Sequence, residues 1–492
     1  MHRDHHSLSR RRFLQAAGAS AAGVALAGGI GELIASAGGR PRHTGPASTP
    51  QWRSRPDLRL PALNVIRRDP SASSDPIFIA PYNAPNAQAG AVIVDSDGEA
   101  IWENPVAGKQ TTNFRVQSYM GSPVLTWWEG NIELGHGVGE YVIADAAYRE
   151  VRRVQAAGGR QADLHEFLLT PRGTALLTSY IVRDYDLRSI GGPRDGSIQD
   201  CVFQEIELPS GRLLMEWHSL DHVSLEESYA PVTADWDYFH INSIDLDDDG
   251  NLLVSSRSTH TVYKIASGGG DVLWRLGGTR TDFEMGAGTS FAWQHDARRQ
   301  PDGGLTLFDN GASPEVEPLS RALALELDER AMTVALREQY THPGLLSDSQ
   351  GSVQILGNGN VFVGWGSEPY VSEFEPSGRL VYDAQLGSQY ESYRAFRLPW
   401  VGRPADAPAL ALARRGARVV GYASWNGATE VAAWRLLGDG PPGDAATPVA
   451  LAGAHGFETA LAGRSGLSRF VAVALDSRGN ELGRSAPVAA SV

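Results

Sequence analysis

The stretch Asp235–Arg257, DWDYFHINSIDLDDDGNLLVSSR, contains a unit that recurs through most of the chain. It is an alternating strand, a turn with a central glycine, and a second apolar strand. The unit returns as GSPVLTWWEG around Gly121, RGTALLTSY around Gly173, DGGLTLFDNG around Gly303 and NGNVFVGWG around Gly359. Successive glycines lie 52, 77, 53 and 56 residues apart, and the long interval holds a polar insertion near Arg183–Asp200. A second turn-and-strand element is interleaved: DGEAIWE from Asp97, SGRLLMEW from Ser210, GGDVLWRL from Gly269, SGRLVYD from Ser377 and a degenerate DERAMTV from Asp328. Two alternating β motifs on a period above fifty predict radially repeated sheets. With an opening unit from Ile77 to Glu103 they make six blades, so an all-β six-bladed β-propeller is expected over residues 65–403, closed by a strand within Tyr393–Trp400.

After Pro404 the rhythm changes to about seven short strands, including ARVVGYASW, TEVAAWRLL, GFETALAG and RFVAVALDSRGNELG, separated by Gly and Pro turns. That pattern predicts a fibronectin-like or Ig-like β-sandwich over residues 406–492, read as an accessory domain. At the other end, Ser9-Arg10-Arg11-Arg12-Phe13-Leu14 reads as a twin-arginine export signal. An apolar Ala/Gly-rich run and a small-residue cleavage pattern at Ala35-Ser36-Ala37 follow it. Residues 1–37 are thus expected to be a signal peptide and 38–64 a flexible leader, with an extracellular or periplasmic destination and no stable membrane span. The single cysteine, Cys201, excludes an intrachain disulfide.

The chain carries 57 acidic against 43 basic residues, and from Asp57 onward 55 against 35. Such a surplus argues against nucleic acid or anionic membrane as a partner. An anionic substrate would need local positive charge.

Counting back eight to ten residues from each repeat glycine reaches Asn113, His165, His240, His295 and Gly351. Units set around one axis bring equivalent positions face to face, so His165, His240 and His295 are expected to converge. The remaining histidines of the mature chain, among them His136, His218, His222, His260, His342 and His455, lack a repeat partner and are read as surface or packing residues. Asp245, Asp247 and Asp249 mimic the start of a calcium loop, but its twelfth position is Ser256, so an acidic turn is the reading and no metal is assigned.

The blocks NFRVQSYMGSPVLTWWEG, LHEFLLTPRGTALLTSY, DWDYFHINSIDLDDDGNLLVSSR, FAWQHDARRQPDGGLTLFDNG and NGNVFVGWGSEPYVSEFEPSG resemble the arylsulfotransferase (ASST) family over roughly residues 70–400. The resemblance implies a six-bladed propeller that moves a sulfuryl group from an aryl sulfate to a phenol through a histidine, with no nucleotide donor and no cofactor. It implies His240, His295, His165, Arg257 and Arg321 as the catalytic group, and Asn113, Asn242, Asp296 and Asn310 as substrate contacts. The chemistry suits those residue types: neutral imidazole attacks sulfur, and arginine presents a fork of donors to an oxyanion.

This chain departs from the family at Gly351, where the sulfated histidine is expected, and at Ala312-Ser313-Pro314 after the FDNG block (Phe308–Gly311), where an arginine usually follows. Three classes therefore stand open: a secreted group-transfer enzyme, a non-catalytic ligand- or protein-binding propeller, and a quinone-cofactor dehydrogenase suggested by the DGxVLW-like repeats. The last is disfavoured, since the chain has no vicinal cysteine pair.

Overall fold

The computed structural model describes residues 51–83, 88–439 and 446–490. The twin-arginine motif, the cleavage pattern and the first part of the expected leader lie outside the described residues. The fold is all-β. Among the described residues the helical turns are short: Leu187–Ile190, Ser219–His222 and Leu225–Glu227.

Six sheets, antiparallel except where the short strands Asp235–Trp236 and Glu284–Met285 join in parallel, follow one another from Ile77 to Gln385. Each repeat unit supplies the first two strands of one of them, as in Ile241–Leu246 paired with Leu252–Ser256 and His295–Arg299 paired with Leu305–Asp309. The central glycines all adopt left-handed φ in the turn between those strands: Gly121 +78°, Gly173 +76°, Gly250 +85°, Gly303 +84° and Gly359 +84°. Any other residue type would be strained there, which is why the repeat keeps glycine.

The apolar runs are continuous because each sheet is buried on both faces. Along Leu252–Val254 the side chains alternate: Leu252 and Val254 pack with Leu176, Phe203 and Trp217 of the preceding sheet, while Leu253 packs with Leu305, Leu307 and Leu323 of the following one. The same alternation continues around the molecule. Trp128 and Tyr141 meet Phe167 and Leu177, Phe308 meets Val353 and Val363, and Phe362 and Tyr382 meet Ile77 and Ile79. Phe78 and Trp102 then meet Phe114 and Trp127. The sixth sheet thus packs on the first, and the cycle closes. Ala395–Arg397 pairs with Ile77–Ile79, so one sheet joins the two ends of the repeat region.

Two departures from expectation concern the N-terminal side. Asn64–Arg68 is a strand, added to the outer edge of the sixth sheet beside Leu380–Gln385. The end of the stretch expected to be a flexible leader is also packed, with Leu58 buried against Ala100 and Phe457, and Trp52 Nε1 donating to Glu103 Oε1 at 3.0 Å. Apolar residues at this spacing found a groove to fill, which composition alone did not reveal.

Beyond Pro404, eight strands among the described residues form two sheets around Val419, Trp434, Leu436, Leu461, Phe470 and Ala472. They are tied to the first part of the chain by Asn426, which exchanges hydrogen bonds with the Glu103 backbone at 2.9 Å, and by the Tyr148 hydroxyl, which donates to Gly427 O at 2.7 Å.

Candidate functional site

The histidine positions fall at the starts of the first strands, where the backbone is unusual. Asn113, His240 and Asp296 have φ of +53°, +53° and +56°, and Gly351 has +109°. The strands that carry the first three lose register at the same places, between Thr112 and Arg115, Ile241 and Ser243, and His295 and Arg298. Left-handed non-glycine residues beside bulges are costly and tend to re-aim side chains at functional sites.

Two of the histidines, His240 and His295, sit beside these irregularities, and the histidines approach one another. The ring centroids of His165 and His240 lie 4.8 Å apart. Tyr393 is 5.5 Å from His165 and 6.3 Å from His295, and links the third histidine to the pair. A fourth histidine joins them. His136, read from sequence as a packing residue, lies 5.2 Å from His240 and 6.3 Å from His165, with Tyr180 4.0 Å away. It is carried in by the hairpin of Ser122–Glu133 and His136–Ala144, whose tip residues Leu134 and Gly135 have φ of +51° and +90°. Two left-handed residues make the tight turn that suits twisted strands.

Hydrogen bonds fix the state of each ring. His165 Nδ1 donates to Asp163 Oδ2 at 2.6 Å, and His240 Nδ1 donates to Asp237 Oδ2. His295 Nδ1 faces Asn310 Oδ1 at 2.7 Å and the Trp293 carbonyl at 3.1 Å, both acceptors, so it too carries the proton. Each ring therefore presents a lone pair on Nε2. In His295 that lone pair is occupied by Gln350 N–H at 3.2 Å. No protein donor, among the described residues, reaches Nε2 of His165 or His240.

The electrostatics differ from ring to ring. Burial pushes His240 down to about 4, outweighing Asp237, so it is neutral at pH 7. Burial, aided by the charge of Arg257, holds His295 well below its ordinary value. Burial opposes the charging of His136 as well, but Asp237 prevails and its pKa is raised. Asp163 is held down at about 2, because His165 and His136 overcome the cost of burial.

Arg257 adjoins the site, and its charge acts on His295. Its backbone N–H donates to the His240 carbonyl at 2.9 Å, its guanidinium lies 4.8 Å over the Trp293 ring, and one N–H donates to the Asp348 carbonyl at 3.2 Å. Among the described residues no carboxylate forms an ion pair with it. Arg321, expected to share this role, does not. It stands opposite Asp309 in the neighbouring strand and is held by that carboxylate, by Ser290 O at 2.8 Å and by Glu317.

The four residues expected to contact substrate are buried and serve the scaffold. Asn310 orients His295 and donates to Ser347 O and Gln350 O. Asn113 Oδ1 accepts from Arg394 at 3.0 Å, and Asn242 Nδ2 donates to Gln294 O. Asp296 pairs with Arg298 at 2.8 Å and with Arg394 at 3.2 Å. Beneath the histidines, Glu166 ties the sheets together: its carboxylate meets Arg115 at 2.8 Å, Arg394 at 3.2 Å, and Arg298. The acidic turn read as a calcium mimic is neutralised by Lys264, 2.8 Å from both Asp247 and Asp249, and by Arg299.

Gly351 leaves no room for a side chain. A Cβ there would lie 2.3 Å from Phe308 Cδ1.

No curated protein matches the chain. Among solved structures it is similar to a protein of unknown function from Bacteroides caccae, at 13% identity, 66% of this chain, all of that one and a TM-score of 0.41. It is also similar to one from Dyadobacter fermentans, at 9% identity, 82% of this chain, all of that one and a TM-score of 0.36. A third is a GH43 protein mutant from Bacillus licheniformis, at 9% identity, 76% of this chain, 88% of that one and a TM-score of 0.29. Likenesses this weak add nothing to the assignment. The arylsulfotransferase (ASST) family profile, in contrast, matches residues 115–387. That span covers more than half of the sequence and every histidine of the site, and the chain belongs to the arylsulfotransferase (ASST) family.

Proposed function

We propose that this protein is an exported sulfuryl transferase, built as a six-bladed propeller over residues 65–403 with a fibronectin-like sandwich over 406–492, and that His240 is its nucleophile. The observation that carries this reading is a Nε2 lone pair on His240 that no protein donor reaches among the described residues, its Nδ1–H being held by Asp237; Arg257, whose backbone N–H is bonded to the His240 carbonyl, has no carboxylate partner among them. In the first half-reaction Nε2 attacks the sulfur of an aryl sulfate and the sulfur–oxygen bond to the ring breaks. The phenolate leaves and takes up a proton from solvent. In the second half an incoming phenol gives its proton to the Nε2 lone pair of His165, and its oxygen takes the sulfuryl group as the nitrogen–sulfur bond breaks; His165 then returns the proton to solvent. Arg257 offers donors to the sulfuryl oxygens as their charge rises, and the Asp237 carboxylate stabilises the sulfated imidazolium. His295, whose Nε2 is occupied, holds Gln350 and the site wall.

The test is transfer from a chromogenic aryl sulfate to a phenol. His240→Ala should abolish turnover in protein that still unfolds cooperatively. His295→Ala should lower the unfolding midpoint, because Asn310 and Gln350 N–H lose a buried partner, at a cost of about 1–3 kcal/mol. A sulfated residue trapped by mass spectrometry on any position but His240 would refute the assignment.

One observation favours a second reading. The side-chain-free Gly351 suits a family member that binds ligand without turning it over. Wild-type protein that binds aryl sulfate saturably but transfers nothing would establish it.

A further inference from the structure

We propose that His136, Asp237 and His240 form a binding site for one divalent first-row transition-metal ion, with Zn2+ as the best-matched probe. One ligand atom from each residue falls within a common span of 4.8 Å. Asp237 Oδ2 is 3.2 Å from His136 Nε2 and touches His240 Nδ1, so two imidazole nitrogens already converge on one carboxylate.

Three features set this carboxylate apart from the other buried acids. Glu166 and Asp309 are each paired with arginine, and Asp247 with Lys264 and Arg299. Among the described residues Asp237 forms no ion pair with Lys or Arg and faces only imidazoles. Its Oδ1 is buried without any hydrogen-bond partner, as is His136 Nδ1. A carboxylate oxygen left bare in a buried pocket is costly, and a bound cation would satisfy it. The cluster is also reachable: the side chains of His136, Asp237 and His240 keep 12%, 27% and 12% of their surface.

The ligands are held in advance. His136 sits at the first position after a tight hairpin turn, and the carbonyl of His240 is fixed by Arg257 N–H at 2.9 Å. Two imidazoles and one carboxylate match zinc and its first-row neighbours, whereas magnesium and calcium prefer all-oxygen shells. Three protein ligands would leave a position open, the arrangement of metal sites that bind a further small molecule. His165 is not part of the set, because its Nδ1 faces Asp163 and not the Asp237 carboxylate on which the other two rings converge.

A metal on His240 Nδ1 would take the place of the proton that Asp237 holds there, so this site overlaps the proposed nucleophile; its test needs no substrate. Purified full-length protein, stripped with chelator, is titrated calorimetrically with Zn2+, and separately with Co2+ while its visible absorption is followed. One saturable site per chain is expected, with cobalt bands of an imidazole-ligated ion. His136→Gln and Asp237→Asn should each weaken Zn2+ binding by more than about tenfold, and His165→Gln should leave it unchanged. Zn2+ should also raise the thermal midpoint of wild type but not of His136→Gln, a readout that stands even if Asp237→Asn fails to fold. Absence of saturable binding to wild type, or equal binding by wild type and His136→Gln, would overturn the proposal. Transfer by the metal-free protein would leave the transferase reading intact in either case.

Discussion

A side chain introduced at Gly351 tests whether the position where the family resemblance implies a histidine is a vacancy or already filled. A Cβ at this residue would fall 2.3 Å from Phe308 Cδ1, 2.6 Å from Cε1 and 2.7 Å from Cγ. Carbon atoms pack best at about 3.5–4.0 Å, so the overlap exceeds an ångström and involves a ring, not a flexible tip. Phe308 cannot retreat cheaply, since it is wholly buried against Tyr340, Val353, Val363 and Trp365. Overpacking of this kind costs about 1–3 kcal/mol, and a Cβ at φ +109° costs a further ~1–3 kcal/mol. Gly351→Ala should therefore lower stability by about 2–6 kcal/mol, a large part of the total for most proteins. Denaturant unfolding followed by tryptophan fluorescence reads the change. Phe308→Leu combined with Gly351→Ala should be less unstable than the sum of the two single variants, because the clash is shared. Gly351→His should be no better folded than Gly351→Ala and should gain no activity. A Gly351→Ala protein with the wild-type midpoint would refute the packing argument and reopen this position to a nucleophile.

Three further outcomes follow from the same geometry. Glu166→Gln leaves Arg115, Arg298 and Arg394 without their shared buried counter-charge, and should destabilise by about 3–5 kcal/mol in denaturant titration; an unchanged midpoint would show that the hub is dispensable. Burial lifts Asp309 to about 6 despite Arg321, so between pH 4 and 6 the folded chain holds a proton that the unfolded chain releases. Stability should thus fall as pH rises through that window, by on the order of 2–3 kcal/mol, and stay level above it for this group. Asp309→Asn should flatten that segment of the profile, and an equal slope in variant and wild type would contradict the account. Arg10→Lys combined with Arg11→Lys should keep the precursor in the cytoplasm on fractionation, since the proposed twin-arginine signal is read by a receptor and not by charge; normal export of the double variant would exclude it.

What the sequence exposed depended on how far each signal travels along the chain. Turn glycines and two-sided apolar strands are local, so six sheets and their order were legible: Gly250 needs its left-handed φ whatever lies across the molecule. The convergence of His165 and His240 was legible for a related reason, because equivalent places in repeated units point the same way. Arg321 failed the same logic. The residue that neutralises it, Asp309, faces it only through strand pairing, and Arg257 looked no different on paper although it has no such partner.

His136 marks where repetition stops being a guide. It has no counterpart in the other sheets, since it enters by a hairpin that runs through Leu134, with 84% of that residue's surface exposed, to reach the site from the second sheet. The carboxylates that set the chemistry were nearer at hand. Asp163 lies two residues before His165 and Asp237 three before His240, spacings short enough for a side chain to bond back to the ring. An acid placed just upstream of a histidine at a strand start fixes which nitrogen keeps the proton. That choice is the same in His240 and His295 and leaves Nε2 with the lone pair; what separates them is that the lone pair of His295 is spent on a backbone amide. Two histidines at matching positions of the repeat thus have unlike chemistry, and the difference lies in their partners.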